Sequence, residues 1–301
     1  MDFKYSKTDS GIRIDKYIGE YSHVVIFDKI KSFPAIKRLG DNVFCVCESL
    51  SSVNYPKDSY YVFDDMEIVQ FPESVTEIGD FAFSSCKSLE GIEIPESVKI
   101  IGSRAFSSCS GLTSIEIPNN VEIIGGYAFV DCYLLREVKL SNSMSEIYGG
   151  TFEHCIRLGD VKISDSVEVI GCRAFKECLW LEDILIPNSV KIIGNAAFCR
   201  CKSLESITIP ASIEKIGDGA FKGCENLVTC VISSGVAEIG NGVFRDCTSL
   251  EEIKLPASVK KIGSNAFRGC ESLMAVKLPA TVEIGRDAFK GCNASLKINC
   301  Y

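Results

Sequence analysis

Apolar residues recur along this chain with a period of 23. Ile94-Pro95, Ile117-Pro118, Ile186-Pro187, Ile209-Pro210, Leu255-Pro256 and Leu278-Pro279 are all separated by multiples of 23. In the same register phenylalanine falls at Phe83, Phe106, Phe129, Phe152, Phe175, Phe198, Phe221, Phe244 and Phe267, each followed three residues later by cysteine. A tenth pair, Phe289 and Cys292, comes one residue early. Leucine follows three after each cysteine from Leu89 to Leu273, giving the consensus V-x-x-I-G-x-x-A-F-x-x-C-x-x-L-x-x-I-x-I-P. A fixed period of this length marks a solenoid, in which each repeat buries its apolar face only against its neighbours.

The L-x-x-I-x-I stretch, Leu89 to Ile94 for example, alternates as a half-buried strand does, and the proline or serine after it ends the pairing. The pattern predicts that such strands stack in parallel, with about eight residues per coil facing inward. The glycine after V-x-x-I is expected to supply a positive φ at a corner, and A-F-x-x-C is short enough for a single helical turn. The predicted fold class is an α/β-type repeat solenoid with one parallel sheet and short helical or irregular turns on the other side. We read one domain over residues 1–301, with irregular N-terminal capping repeats over 1–70, nine regular repeats over 71–278 and a C-terminal capping repeat over 279–301. Gly40 to Pro56 keeps the glycine, phenylalanine, cysteine, leucine and proline spacings of the repeat. Only 16 residues separate Pro56 from Pro72, which marks a shortened coil, and Lys31 to Ile36 reads as an insertion.

These motifs closely resemble the BspA-like class of leucine-rich repeat, and Gly11 to Ile26 is similar to the lead-in that such proteins carry before their first coil. The resemblance implies a right-handed, curved solenoid and a family of largely surface-exposed or secreted microbial proteins associated with adhesion and protein binding. It supplies no catalytic residues. Local departures are Ser141, Ser164 and Ser233 in place of proline, Tyr148 in place of the corner glycine, Met144 beside it, and Cys230 in place of a strand isoleucine.

The net charge of −8, without a Lys/Arg stripe, argues against nucleic acid or an anionic membrane surface as partner. No apolar run approaches 18 residues, which argues against membrane insertion, and the charged opening Met1 to Asp9 lacks the apolar stretch of a secretory signal. Localisation therefore reads as cell-surface or secreted from the resemblance, and as cytoplasmic if the chain is complete.

Ten of the 16 cysteines recur once per coil at an inward slot, so buried thiols explain them better than a disulfide framework, although a few disulfides between neighbouring coils fit the geometry. Cys45 with Cys47 and Cys199 with Cys201 lack a second pair at zinc-finger spacing, so no metal site is expected. Neither histidine, His23 or His154, has a nucleophile arranged around it. The chain is read as a non-enzyme without cofactor.

Two surfaces are candidates for a partner. Just after the core cysteine most coils carry polar or small residues, but three consecutive coils carry Tyr133-Leu134, Ile156-Arg157 and Leu179-Trp180, including the one tryptophan of the chain. An exposed aromatic and aliphatic patch with an arginine has the composition of an interface anchor; the alternative is local cover of one residue by the next. The other candidate is the concave face of the sheet. There Glu137, Asp160 and Asp183 share one slot in successive coils, with Lys139, Lys162 and Leu185 two residues on. The row of Glu93, Glu116, Lys139, Lys162, Leu185, Thr208, Val231, Lys254 and Lys277 runs from acidic to basic. Stacked carboxylates suit a sugar or metal, while a solvated cross-strand charge ladder explains the same residues. Three functions follow: a non-enzymatic protein-binding or adhesion module, which also allows self-association through the patch; a carbohydrate-binding or glycan-active solenoid; and a structural spacer. The first is favoured.

Overall fold

The computed structural model describes residues 3–8, 11–17, 36–43, 52–53 and 74–301. Cys45, Cys47, His23, the insertion expected from Lys31 and the shortened coil before Pro72 lie outside the described residues. The chain forms two compact units, Met1–Met144 and Ser145–Tyr301.

In the first unit Phe3–Thr8 (β1) pairs antiparallel with Gly11–Tyr17 (β2). From β2 onward every pairing among the described residues is parallel, running through Ile36–Leu39 (β3), Glu77–Ile78, Ile100–Ile101 and Ile123–Ile124. A separate parallel ladder joins Ser114–Glu116 to Glu137–Lys139. In the second unit Glu146–Ile147, Val169–Ile170, Ile192–Ile193 and Lys215–Ile216 form one parallel ladder. Ser206–Ile209, Thr229–Ile232, Glu252–Lys254, Ala275–Leu278 and Lys297–Cys300 form another. Each unit is thus a parallel β-solenoid of leucine-rich-repeat type. A typical coil contributes two strands rather than the one expected, because the residues just before the I-G corner also pair with the next coil.

Among the described residues no helix forms, which corrects the helical turns and the α/β label. Hydrogen bonding in the A-F-x-x-C stretch explains why. In the coil from Gly102 to Cys109, the amides of Ala105, Ser107 and Cys109 close tight turns onto Gly102, Arg104 and Phe106 at 3.3, 3.0 and 3.2 Å. The amides between them, on Arg104, Phe106 and Ser108, donate instead to Gly126, Ala128 and Val130 of the next coil at 3.1, 2.8 and 2.7 Å. A helix would consume all these amides internally, whereas this alternation spends half of them on the neighbour. It requires left-handed backbone two residues before and two after each core phenylalanine: Arg104 and Ser108 have φ of 55° and 57°, and Arg173 and Glu177 have 59° and 61°. Each such non-glycine residue costs on the order of 1 kcal/mol, which the intercoil hydrogen bonds and the buried rings must outweigh.

The corner glycine has a different task from the one expected. Neither Gly102 nor Gly194 carries a positive φ. A Cβ at Gly102 would lie 2.6 Å from the backbone of Gly79 and Asp80, and one at Gly194 would lie 2.5 Å from the Cys172 nitrogen and 2.6 Å from the Gly171 carbonyl carbon. Glycine is required because successive corners touch backbone to backbone.

The inward residues follow the consensus. Val98, Ile101, Ala105, Phe106, Cys109, Leu112, Ile115 and Ile117 are all buried in one coil. The phenylalanines stack in register, with ring centroids 5.1 and 5.3 Å apart from Phe83 to Phe129 and 5.3 to 5.7 Å apart from Phe152 to Phe289. The cysteine column has a hydrogen-bonding reason as well as a packing one. Cys109 Sγ donates to the Phe83 carbonyl at 3.0 Å, Cys201 to Phe175 at 3.1 Å and Cys224 to Phe198 at 3.2 Å. Valine would fill the slot without this bond, and serine would place a more polar group in it. Ser141 departs from proline yet is fully buried, because its hydroxyl donates to the Val121 carbonyl at 2.6 Å and accepts from the Ser143 amide. Met144 occupies the inward valine slot without shifting the register.

Burial pushes the thiols of Cys178, Cys201, Cys224 and Cys247 well above their ordinary value of 9.0. The native state therefore holds these protons at a pH where the unfolded chain releases them. Stability from the column is fully present below pH 9 and should fall as pH rises above it. In native protein we expect iodoacetamide to label the exposed Cys172 and Cys300 and to leave Cys201, Cys224 and Cys247 unlabelled until the chain unfolds. Peptide mass mapping reads this directly, and native labelling of Cys224 as fast as Cys172 would contradict it.

Candidate functional site

The tight turn between each core cysteine and the following leucine holds both of those side chains inward, so the two residues between them are pushed to the surface. In the second unit Leu158 N–H donates to the Cys155 carbonyl at 3.0 Å and Leu181 N–H to the Cys178 carbonyl at 3.3 Å. Ile156, Arg157, Leu179 and Trp180 occupy the tips of these two turns, which are joined by the Trp180 amide donating to the Ile156 carbonyl at 3.0 Å. Ile156, Arg157 and Leu179 are half-buried, whereas Trp180 is 53% exposed. The Arg157 guanidinium lies over the indole, 5.3 Å from the ring centroid, at cation–π distance.

Below the tips the next outward slot is Gly159 in one coil and Glu182 and Glu205 in the next two. Gly159 contributes no side chain, and a Cβ there would meet nothing nearer than the Trp180 carbonyl oxygen at 3.5 Å. The space it leaves is part of an open depression of about 490 Å³, lined by Arg157 and Trp180 together with Glu182, Asp183, Glu205 and Ser206.

The strand expected at Leu181 to Ile186 keeps its in–out alternation but makes no ladder. Among the described residues, none from 183 to 185 is paired in a sheet, whereas Asp160–Lys162 and Ser206–Ile209 are strands. Asp160, Lys162 and Asp183 are exposed, and Leu185 stands out at 74% exposure. The row of outward side chains therefore lacks its backbone support beside the depression.

Carboxylates around the depression are gathered without basic partners. Several carboxylates of the second unit are answered by a basic residue one coil away: Lys191 meets Glu168 at 2.8 Å, Lys202 meets Glu225 at 2.8 Å and Lys261 meets Glu238 at 2.7 Å. Among the described residues Glu182, Asp183 and Glu205 have no ion pair and no side-chain hydrogen bond. Three carboxylates against one guanidinium leave the depression acidic.

The other sequence candidates fall in the first unit. Tyr133 is 44% exposed and Leu134 half-buried, and partial burial followed by the nearby Asp131 carboxylate raises the tyrosine hydroxyl above its ordinary range. Glu137 and Lys139 are exposed on a strand, and Lys139 binds Glu116 of the preceding coil, as a cross-strand charge ladder would have it. The structure thus brings Arg157, Trp180 and Asp183 around one depression, and adds Gly159, Glu182, Glu205 and Ser206. The missed residues carried one legible signal, the glycine at position 159 in a slot that neighbouring coils fill with Arg136 and Glu182. His154 lies in a separate mixed-charge cluster, 3.7 and 3.6 Å from Glu153 and Glu177, where Lys176 binds Glu153 at 2.8 Å and Arg200 binds Glu177 at 3.2 Å.

With this geometry in hand, comparison with known proteins is informative. The family model described as BspA type leucine rich repeat region (6 copies) matches residues 56–182 and again 168–295. The chain belongs to the BspA-type leucine-rich repeat family. Among solved structures it is similar to a leucine-rich repeat protein from Bacteroides ovatus, at 27% identity and a TM-score of 0.61, covering 99% of this chain and 93% of that one. It is also similar to a leucine rich cell surface protein from Faecalibacterium prausnitzii, at 28% identity and a TM-score of 0.53, covering 100% and 93%. The pneumococcal vaccine antigen PcpA shares the fold, at 19% identity and a TM-score of 0.57, covering 98% and 82%. No curated protein matches the sequence. In this BspA-type chain the repeat accounts for the buried columns, while the depression is built from residues in the slots that the repeat leaves free.

Because Trp180 is the one tryptophan of the chain, its fluorescence reports on the depression alone. With each quenching constant taken relative to that for free N-acetyltryptophanamide, the unanswered carboxylates should make caesium ion quench it more than iodide, and the combined change Glu182→Gln, Asp183→Asn and Glu205→Gln should reverse that order. Stronger relative quenching by iodide in the unsubstituted protein would show that Arg157, not the carboxylates, sets the local field.

Proposed function

We propose that this chain is a non-enzymatic protein-binding or adhesion module whose contact surface is centred on Ile156, Arg157, Leu179 and Trp180. Asp160, Lys162, Asp183 and Leu185 border this surface. Tyr133, Leu134, Glu137 and Lys139 offer a similar surface on the first unit. The observation that carries this reading is Trp180, more than half exposed beneath Arg157 at the rim of an acidic depression. Tryptophan and arginine are the residue types that anchor interfaces, because each contributes a large contact area with few lost rotamers or a fixed set of donors. A tryptophan needed only for packing would be covered by its neighbours, as the phenylalanines are. The relative from Faecalibacterium prausnitzii is described as a cell surface protein, which supports a setting where contact with other macromolecules is the task. The same coils acting as one domain over residues 1–301, at a cell surface or secreted, complete the proposal.

The substitutions Leu179→Asp and Trp180→Asp place a charge at the centre of this surface without touching the buried columns. We expect each to weaken binding of a captured protein partner, or self-association measured by sedimentation, by roughly thirtyfold, as loss of an interface hot spot does. If both variants keep every interaction of the unsubstituted protein, the surface has been placed wrongly.

A further inference from the structure

Resting on that reading, we propose that the depression beside Trp180 receives the cationic side chains of a lysine- or arginine-bearing segment of a protein partner. Three features of the site point to this chemistry. Trp180 already accepts a cation, since the Arg157 guanidinium sits 5.3 Å from its ring centroid while the indole remains 53% exposed. The ring is therefore oriented as a cation platform with surface to spare. Glu182, Asp183 and Glu205 face the same space, and among the described residues they lack the basic partner one coil away that Glu168, Glu225 and Glu238 have. An incoming ammonium or guanidinium supplies that missing charge. Gly159 keeps the space open, and its volume of about 490 Å³ suits side chains rather than a folded surface.

The same features weigh against other occupants. An anionic group would meet three carboxylates with one guanidinium to oppose them. A neutral glycan could stack on the indole and donate hydroxyls to the carboxylates, but it would leave their charge unanswered. An aliphatic anchor would desolvate carboxylates without replacing the lost hydration. A basic segment satisfies both the ring and the carboxylates, and the residues from Asp183 to Leu185, unpaired in any sheet, add backbone donors and acceptors beside it.

Titration of hexaarginine into the full chain, read by Trp180 fluorescence, tests this, with hexaglutamate and maltohexaose as comparators. We expect a saturable change with hexaarginine that weakens with added salt, and no change with either comparator. Combined Glu182→Gln, Asp183→Asn and Glu205→Gln substitution, or Gly159→Leu to fill the space, should weaken it about tenfold. Glu168→Gln with Glu238→Gln, which removes exposed carboxylates elsewhere, should leave it unchanged. The proposal is overturned if hexaarginine produces no change, if the two sets of carboxylate substitutions weaken it equally, or if maltohexaose or hexaglutamate produces the response instead. If a protein partner is lost with Trp180→Asp while hexaarginine remains silent, the binding module stands and its cationic partner does not.

Discussion

Stacking a coil directly on its neighbour brings two backbones to within contact at the I-G corner, and the rest of each unit is arranged around that approach. At Gly194 a single added carbon would fall 2.5 Å from the backbone of the coil beneath. The approach sets the rise of the coil, the rise sets the 5.3 Å stacking of the phenylalanine rings from Phe175 to Phe221, and it brings the Cys201 and Cys224 thiols onto carbonyls one coil away. The left-handed residues flanking each phenylalanine serve the same end, since they turn alternate amides outward to the next coil. Strain of this kind is tolerable only where a regular lattice of neighbours determines the backbone from both sides.

Because the repeat claims the inward slots, function is confined to the outward ones, where the lattice imposes little. Several outward charges are paired one coil away, and exposed pairs of that sort contribute little to stability. The region around Trp180 differs in three coincident ways: an exposed aromatic, a glycine that opens space, and carboxylates left without basic partners. None of these belongs to the buried columns of the repeat, and the proposed recognition surface rests on that difference.

The periodicity made the inward columns legible from residue types alone: Phe106, Cys109, Leu112 and Ile115 are buried where the consensus places them. Two local features were not legible. Residues at the left-handed positions are as varied as Arg104, Ser108, Glu177 and Ala196, so no residue preference announces them, although Gly219, Gly223, Gly242 and Gly269 hint at it. The turn was therefore read as helical. The corner glycine was recognised, but its steric role depends on a coil 23 residues away and is invisible to local reasoning. At the candidate site the sequence singled out Arg157 and Trp180 because their coils break the polar pattern after the core cysteine, and Asp183 because it shares a strand slot with Glu137 and Asp160. It did not single out Glu182 and Glu205, since glutamate is ordinary at an exposed slot and only geometry shows that these two share a depression with the indole.

The central claim is that backbone contact at the glycine corners, rather than flexibility there, holds the coils together. The most direct measurement compares urea unfolding of Gly194→Ala with that of Gly159→Ala, two glycines of the same unit with unremarkable φ. The account predicts that Gly194→Ala lowers stability by at least about 2 kcal/mol, because backbone atoms must move apart, while Gly159→Ala changes it by less than about 0.5 kcal/mol. Equal, small effects at both positions would contradict it and return the corner glycine to a conformational role.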